Sequence, residues 1–248
     1  MFHVLGYQGS SHDVVGLDAT PIPDDIVTIQ NGHFLPSTDL NLFGFYAGGS
    51  ILNYVQLVTP TTRQISVPRL VPINNSVTPP NNPNMVDLRG NPLRLRAVEE
   101  ISMLNTLGTN ASNIPFINIL FVGKSLDPIP QGDILTLHGT STTTAVVNGW
   151  TSLAITYDNT LPAGTYAIIG AQVQSANAIA HRFIFKDMFY RPGFMSVTSF
   201  YNRPVWDYYR GAMGLLGTFT TTTYPTLQVL CAVADAAHDV TFSIIRIA

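Results

Sequence analysis

Gly123-Lys124-Ser125 has the residue types that close a phosphate-binding loop, where backbone N–H groups and a lysine cradle phosphate oxygens. That loop needs a glycine five residues before Gly123, and Asn118 stands there. It also needs a following helix, and Leu126-Asp127-Pro128 follows instead. Six histidines, His3, His12, His33, His138, His181 and His238, could ligate a metal or move protons. None forms a His-x-His or HExxH pair, and Glu99 and Glu100 are the only glutamates. A cupin-type metal site, built from His-x-His and a glutamate, therefore lacks its ligands. Ser11-His12-Asp13 has triad residue types, but adjacent side chains cannot converge as a triad does, and a flexible N-terminal segment is expected there. Asp18, Asp24 and Asp25 could offer oxygens to calcium, yet aspartate ahead of a strand is usually a turn former. Glu99-Glu100 reads as a solvated turn. Cys231, in the apolar run LQVLCAVA, reads as an inert core thiol. The sequence thus assigns no catalytic residue, no cofactor and no metal.

Arginine and aromatic residues offer recognition chemistry instead. Arg89, Arg94, Arg96, Arg203 and Arg210 lie in corresponding parts of the two halves of the chain. They suit bidentate contacts between subunits or to backbone carbonyls, or else stand as isolated surface arginines. Tyr201, Trp206, Tyr208 and Tyr209 cluster around Arg203 and Arg210. Such a cluster suits an interface hot spot, and it could equally stack on sugars.

The composition narrows the classes. Apolar residues make up 46% of the 248, and charged residues only 11%, against roughly 25% in typical soluble domains. There are two lysines, Lys124 and Lys186, against ten arginines, and the net charge is −3. A disordered chain, a coiled coil and a basic nucleic-acid binder are all excluded. The single cysteine excludes a disulfide scaffold. A surface of Thr, Asn and Gln with little charge suits a protein that buries its exterior against copies of itself, or a secreted β-protein. The N-terminus shows no secretory signal, and no run approaches the roughly 18 apolar residues of a spanning helix. The glycosylation patterns at Asn74 and Asn110 read as chance.

The elements read as β. Apolar or alternating runs recur at Ile26–Ile29, Leu40–Phe45, Ile51–Val58, Ile134–Leu137, Leu153–Tyr157, Tyr166–Val173, Arg182–Phe185 and Phe242–Ile247. Gly, Pro, Asn or Asp separates most of them, a spacing that predicts a sandwich or barrel. Ala97–Leu104 and Asp207–Leu216 are the two helix candidates. Pro72–Asn84 and Gly139–Asn159 read as long loops.

The chain also matches itself. Pro21-Ile22-Pro23 before Ile26–Ile29 resembles Pro128-Ile129-Pro130 before Ile134–Leu137. Leu35-Pro36 with Gly44 matches Leu161-Pro162 with Gly170, then Pro68 matches Pro192 and Arg89-Gly90 matches Arg210-Gly211. Phe116–Phe121 and Phe242–Ile247 close the copies. The second copy holds about 18 extra residues before its Leu-Pro turn. Gly44 and Gly170, inside strands, predict bulges or close backbone approach. The expected organisation is an N-terminal arm at 1–16, a first β-domain at 17–123 and a second at 124–248.

This tandem organisation, with low charge, few lysines and Pro-rich connectors, resembles the double jelly-roll major capsid proteins of viruses. Leu161–Val173 (LPAGTYAIIGAQV) is similar to a strand common in jelly-roll modules. The resemblance covers about residues 17–248. It implies two eight-stranded jelly rolls, a homotrimer that forms a pseudo-hexagonal tile of an icosahedral shell, and localisation in the virion, assembled in the host cell. Implied partners are neighbouring capsid trimers, minor capsid or vertex proteins and an internal membrane. With no basic arm in residues 1–20, direct nucleic-acid binding is not expected. The loops Pro72–Asn84 and Gly139–Asn159 would serve the outer surface or trimer contacts. The alternative is a β-sandwich carbohydrate-binding or phage receptor-binding adhesin, with Trp206 lining the sugar site.

Overall fold

The computed structural model describes residues 1–11, 16–50, 52–65, 69–70, 85–108, 114–198 and 210–248. These form two units. One runs from Val4 to Lys124, and the other from Ser125 to Ala248 with Met1–His3.

The first unit is built from β1 (Phe2–Ser11), β2 (Leu17–Asp18), β3 (Thr20–Pro21), β4 (Thr28–Gln30), β5 (His33–Leu35), β6 (Leu40–Gly49) and β7 (Leu52–Val58), then α1 (Pro60–Ile65), β8 (Arg69–Leu70), β9 (Val86–Asp87), β10 (Leu93–Leu95), β11 (Ser102–Leu107) and β12 (Ile114–Gly123). One sheet has the order β10-β6-β12-β1-β3, with β9 also on β6, and the other β2-β11-β7-β8. Period-two burial is clear in β11, where Met103, Asn105 and Leu107 point inward between half-buried neighbours. Leu5, Tyr7, Phe45, Leu57, Met103 and Leu120 meet in the core. Tyr7 is fully buried there because its hydroxyl donates to the Ile101 carbonyl at 2.8 Å, while its ring meets Phe34 edge-on at 4.8 Å. β4 and β5 form a separate hairpin through Asn31 (φ 51°) and Gly32 (φ 78°). Two left-handed residues in succession make a type I′ turn, whose twist matches that of the strands.

The second unit contains β13 (Ile134–Ser141), β14 (Trp150–Leu153), β15 (Thr156–Tyr157), β16 (Thr165–Gln174), β17 (Ala178–Ile184), β18 (Gly193–Met195), β19 (Gly217–Thr220), β20 (Thr226–Cys231) and β21 (His238–Arg246). Its sheets run β15-β13-β21-β16-β19 and β14-β20-β17-β18. Phe183, from one sheet, meets Phe242, from the other, with centroids 5.2 Å apart.

The two units share one topology. Equating β1 with β13, β6 with β16, β7 with β17, β11 with β20 and β12 with β21 superposes both strand orders. In each unit the strands divide between two sheets, of six and four strands in the first unit and five and four in the second, which is the sandwich of a jelly roll. The likeness extends to an irregularity. The β6–β12 ladder shifts register beside Gly44, and the β16–β21 ladder shifts beside Gly170. Each shift leaves one extra residue, Phe43 or Ile169, on the bulged strand, as the two interior glycines predict.

Several expectations need correction. The Pro-Ile-Pro segments are not equivalent. Pro21 ends β3 and leads to the β4–β5 hairpin, whereas Pro128–Pro130 precedes the long strand β13. The true counterpart of β13 is β1, and the interval from Ser11 to Leu35 nearly equals that from Ser141 to Leu161. The apparent insertion vanishes. In the closing strands Gly44 faces Phe121 and Gly170 faces Ser243, so the match there is displaced from the one expected. The N-terminal segment is not a free arm. Phe2–Ser11 is a sheet strand between β12 and β3, with Phe2, Val4, Leu5 and Tyr7 buried.

Ala97–Leu104 is not a helix. Val98 adopts φ 63° and is 73% exposed, while Ile101 N donates to Phe34 O at 2.9 Å. Long-range bonds to the Phe34–Pro36 segment outcompete local helical ones. Asp207–Leu216 lies outside the described residues up to 209, and its remainder is a turn set by left-handed Gly211 and Gly214. Gly139–Asn159 is not one loop, since it contains the end of β13 and the short strands β14 and β15. Pro72–Asn84 lies outside the described residues. So does Pro68. Among the described residues no helix is long and apolar enough to cross a membrane.

Candidate functional site

The residues with chemical potential are mostly consumed by the fold. Gly123 ends β12, Asn118 sits within that strand, and the Lys124 carbonyl accepts from Asn41 Nδ2 at 3.1 Å. That is strand geometry, with no loop to wrap phosphate. Asp24 Oδ1 accepts from Ile26 N at 2.9 Å and Val27 N at 3.1 Å, the turn-forming role. Asp18 belongs to β2 and faces Leu104. Glu99 accepts from the Thr61 hydroxyl and Glu100 from Asn31 Nδ2 at 3.0 Å, so both tie down their turn. Burial pushes the Cys231 thiol up to about 12, which leaves it protonated and unreactive.

Two of the arginines form ion pairs within the chain. Arg89 grips Asp87 with two nitrogens, at 2.8 and 2.7 Å, and Arg94 pairs with Asp39 at 2.5 Å. Both pairs connect residues of the first unit. Arg210 Nε reaches Ser243 Oγ at 3.3 Å. Arg203, Tyr201, Trp206, Tyr208 and Tyr209 lie outside the described residues, as do His12 and Asp13.

The histidines separate by environment. His3 Nδ1 accepts from Arg191 N at 3.0 Å, and His33 Nδ1 lies 3.1 Å from Ser102 Oγ. His181 is fully buried between the sheets of the second unit. Among the described residues no three His, Cys, Asp or Glu side chains converge to hold a metal.

One cluster stands apart. His138, on β13, places Nδ1 2.5 Å from Asp158 Oδ2 and Nε2 2.7 Å from Asp239 Oδ1. A carboxylate can only accept, so both ring nitrogens donate and the ring is an imidazolium. The hydrogen bond to Asp158, with that to Asp239 and both negative charges, raises the His138 pKa. Because the folded pKa exceeds the unfolded one, this clasp stabilises the fold fully below about pH 6.5. It is lost as pH rises through the raised value. An NMR titration is expected to show His138 titrating above an ordinary histidine, and Asp158→Asn to bring it back down. An unshifted titration in the wild type would refute the clasp.

Asp239 also borders a cavity of ≈ 580 Å³ at one end of the second unit. Loops beside β13, β16, β18 and β21 converge there, and its lining includes Thr140, Ser141, Gln174, Ser175, Ala236 and His238. A second cavity of ≈ 420 Å³ is lined by Phe185, Lys186, Asp187, Phe219 and Pro225, among others. On the other sheet Arg182 lies over the Trp150 ring at 4.1 Å, and its Nε donates to Gln228 Oε1 at 2.9 Å. Neither this stack nor the His138 clasp is legible in the sequence. Both depend on cross-strand register, which brings residues 20 to 101 positions apart side by side.

The fold defines a class, an all-β double jelly roll. Comparison with protein families finds no matching family model, and no curated protein matches. Among solved structures, the chain is similar to the major capsid protein P2 from bacteriophage PM2, across 100% of this chain and 98% of that one. The identity is 12% and the TM-score 0.26, a likeness that carries no argument about this chain.

Proposed function

We propose that this protein is a structural shell subunit, a viral major capsid protein that acts by assembly and performs no catalysis. The observation that carries the reading is the repetition of one jelly roll twice in a single chain, down to the bulges beside Gly44 and Gly170. Two similar blocks per chain become six in a homotrimer, the block count that a hexagonal tile requires. Closed cyclic symmetry then limits the trimer, and repeated weak contacts between trimers extend it into an icosahedral shell. Neighbouring trimers, minor capsid or vertex proteins and an internal membrane are its partners in this reading, and the virion is its location.

Surface chemistry supports the same reading. Only 11% of residues are charged, so little repulsion opposes close packing of copies. Ile134 and Leu135, consecutive on β13, are 45% and 40% exposed although their strand pairs with β21. Apolar side chains on both faces of a strand end favour burial against a partner.

Light scattering of the purified chain, with negative-stain images of the same fractions, tests the proposal. A mass of about 81 kDa, three times the 27.0 kDa chain, or closed shells are expected. A 27.0 kDa monomer that persists at high concentration would overturn it.

A further inference from the structure

The sequence of β13 repeats that of β1 position by position. Val4–Ser11 reads VLGYQGSS and Ile134–Ser141 reads ILTLHGTS, so Val4 corresponds to Ile134, Leu5 to Leu135, Tyr7 to Leu137 and Gly9 to Gly139. The two strands also hold the same place in their sheets. Their middles are alike, since Tyr7 and Leu137 are both buried. Their first residues differ. Val4 and Leu5 are fully buried, whereas Ile134 and Leu135 stand exposed, with Asp133 and Thr136 exposed beside them. The second strand thus keeps the side chains of a covered strand at a bare strand end. Apolar residues so placed favour burial against a partner.

The covered copy indicates the partner. β1 begins with residues that belong to the second unit. There His3 Nδ1 accepts from the Arg191 backbone N–H at 3.0 Å, just ahead of Pro192 and β18. His3 corresponds to Asp133, whose carboxylate is also an acceptor. Pro192 corresponds to Pro68, and β18 to β8, which pairs with β7 at Val55 as β18 pairs with β17 at His181. The counterpart of the segment that meets His3 is therefore the entry to β8, which carries Arg69. Arg69 is exposed and lies over the Tyr54 ring at 4.9 Å. Charge fits the same pairing. Residues 51–86 hold Arg63 and Arg69 and no acidic residue, which complements the exposed Asp133. A guanidinium–carboxylate pair is a charge-assisted hydrogen bond, stronger than a neutral one.

We infer that the start of β13, Asp133–Thr136, docks on the entry to β8 of a second copy of this chain, with Asp133 accepting from Arg69 and with Ile134 and Leu135 buried in the contact. The inference rests on the assembly reading above and adds the surfaces that meet. The contact joins unlike surfaces, one from each jelly roll. Every copy offers both, so copies join head to tail, the arrangement that a closed ring of three needs.

The test is the mass of the full chain by light scattering across a range of concentrations, with thermal unfolding read on every variant. Ile134→Glu and Asp133→Arg are each expected to raise the concentration needed for trimers about tenfold. Both positions are exposed, so the unfolding midpoint should stay unchanged. Arg69→Asp should weaken the trimer in the same way. Combined with Asp133→Arg it should restore the trimer, a recovery that a folding defect would not give. Val146→Glu, at another exposed apolar position, is the control and should keep the wild-type mass. A wild-type monomer would overturn the shell reading and this contact together. With the wild type trimeric, three results would overturn the contact alone. These are trimers left intact by Ile134→Glu and Asp133→Arg, equal dissociation by Val146→Glu, and no recovery in the charge-swapped pair.

Discussion

Alanine at Gly193 is expected to destabilise the second jelly roll by about 3 kcal/mol or more. Gly193 opens β18, which pairs with β17 at Arg182. A Cβ built on Gly193 would lie 1.9 Å from the His181 carbonyl oxygen and 2.6 Å from the Arg182 Cα. Both are backbone atoms of the partner strand and cannot rotate aside. Relief requires β17 and β18 to separate, which strains the bonds from Phe183 N to Pro192 O at 2.8 Å and from Ser196 N to Ile179 O at 2.9 Å. The same motion opens the core at Phe183 and Phe194, both fully buried. For a unit of this size the midpoint of thermal unfolding should fall by roughly 10 °C. Gly90→Ala is the matched control, because a Cβ there meets nothing within 4 Å and should leave the midpoint unchanged. Equal midpoints for Gly193→Ala and the wild type would show that the two strands do not approach this closely.

Acidification is the second large effect. Burial depresses the His181 pKa to about 3, since the ring lies between the sheets with Phe183 and Phe194 around it. Its Nδ1 is 3.3 Å from Ser196 Oγ, and a backbone interaction with Ala171 offsets the burial only in part. Above about pH 6.5 the ring is neutral in both folded and unfolded chains, and His181 adds no pH dependence. As pH falls below that value the unfolded chain takes up a proton that the folded chain refuses until about pH 3. Stability should therefore decline by about 1.4 kcal/mol per pH unit through this window. The His138 clasp acts in the opposite sense, because its raised pKa favours the folded state where histidine is protonated. Urea unfolding of the wild type and His181→Leu between pH 7 and pH 4 separates the two. The variant should lose the acid-dependent decline that the wild type shows. Parallel slopes in the two proteins would mean that His181 takes up its proton in the folded state at an ordinary pH.

Both effects arise at positions that look unremarkable in the chain. Gly193 follows a proline in a run that reads only as a strand start, and its closeness to His181 is a fact of pairing. His181 is one of six scattered histidines, and only its place between two sheets makes it a liability in acid. The Asn31-Gly32 hairpin is different, because an Asn-Gly pair between two short strand-like runs, Val27–Gln30 and His33–Leu35, is a local signal available in the sequence.

What the sequence determined by itself is the β class, the tandem repetition and the glycines that mark bulged strands. These rest on local causes. Branched and aromatic residues suit pleated strands, proline and asparagine stop them, and glycine alone tolerates close backbone approach. The order Leu-Pro, glycine strand, Arg-Gly survives in both halves because each turn is coded by its own residues. Tertiary structure decided the rest. It showed β1, and not the Pro-Ile-Pro segment, to be the counterpart of β13, since strand order follows from which edges pair. Long-range bonds to Phe34 and Pro36 removed the helix expected at Ala97–Leu104. The His138 clasp and the cavity beside His238 join residues from separate strands and loops. Their chemistry exists only once the sheets have closed, because hydrogen bonds between side chains obey distance in space and not separation along the chain.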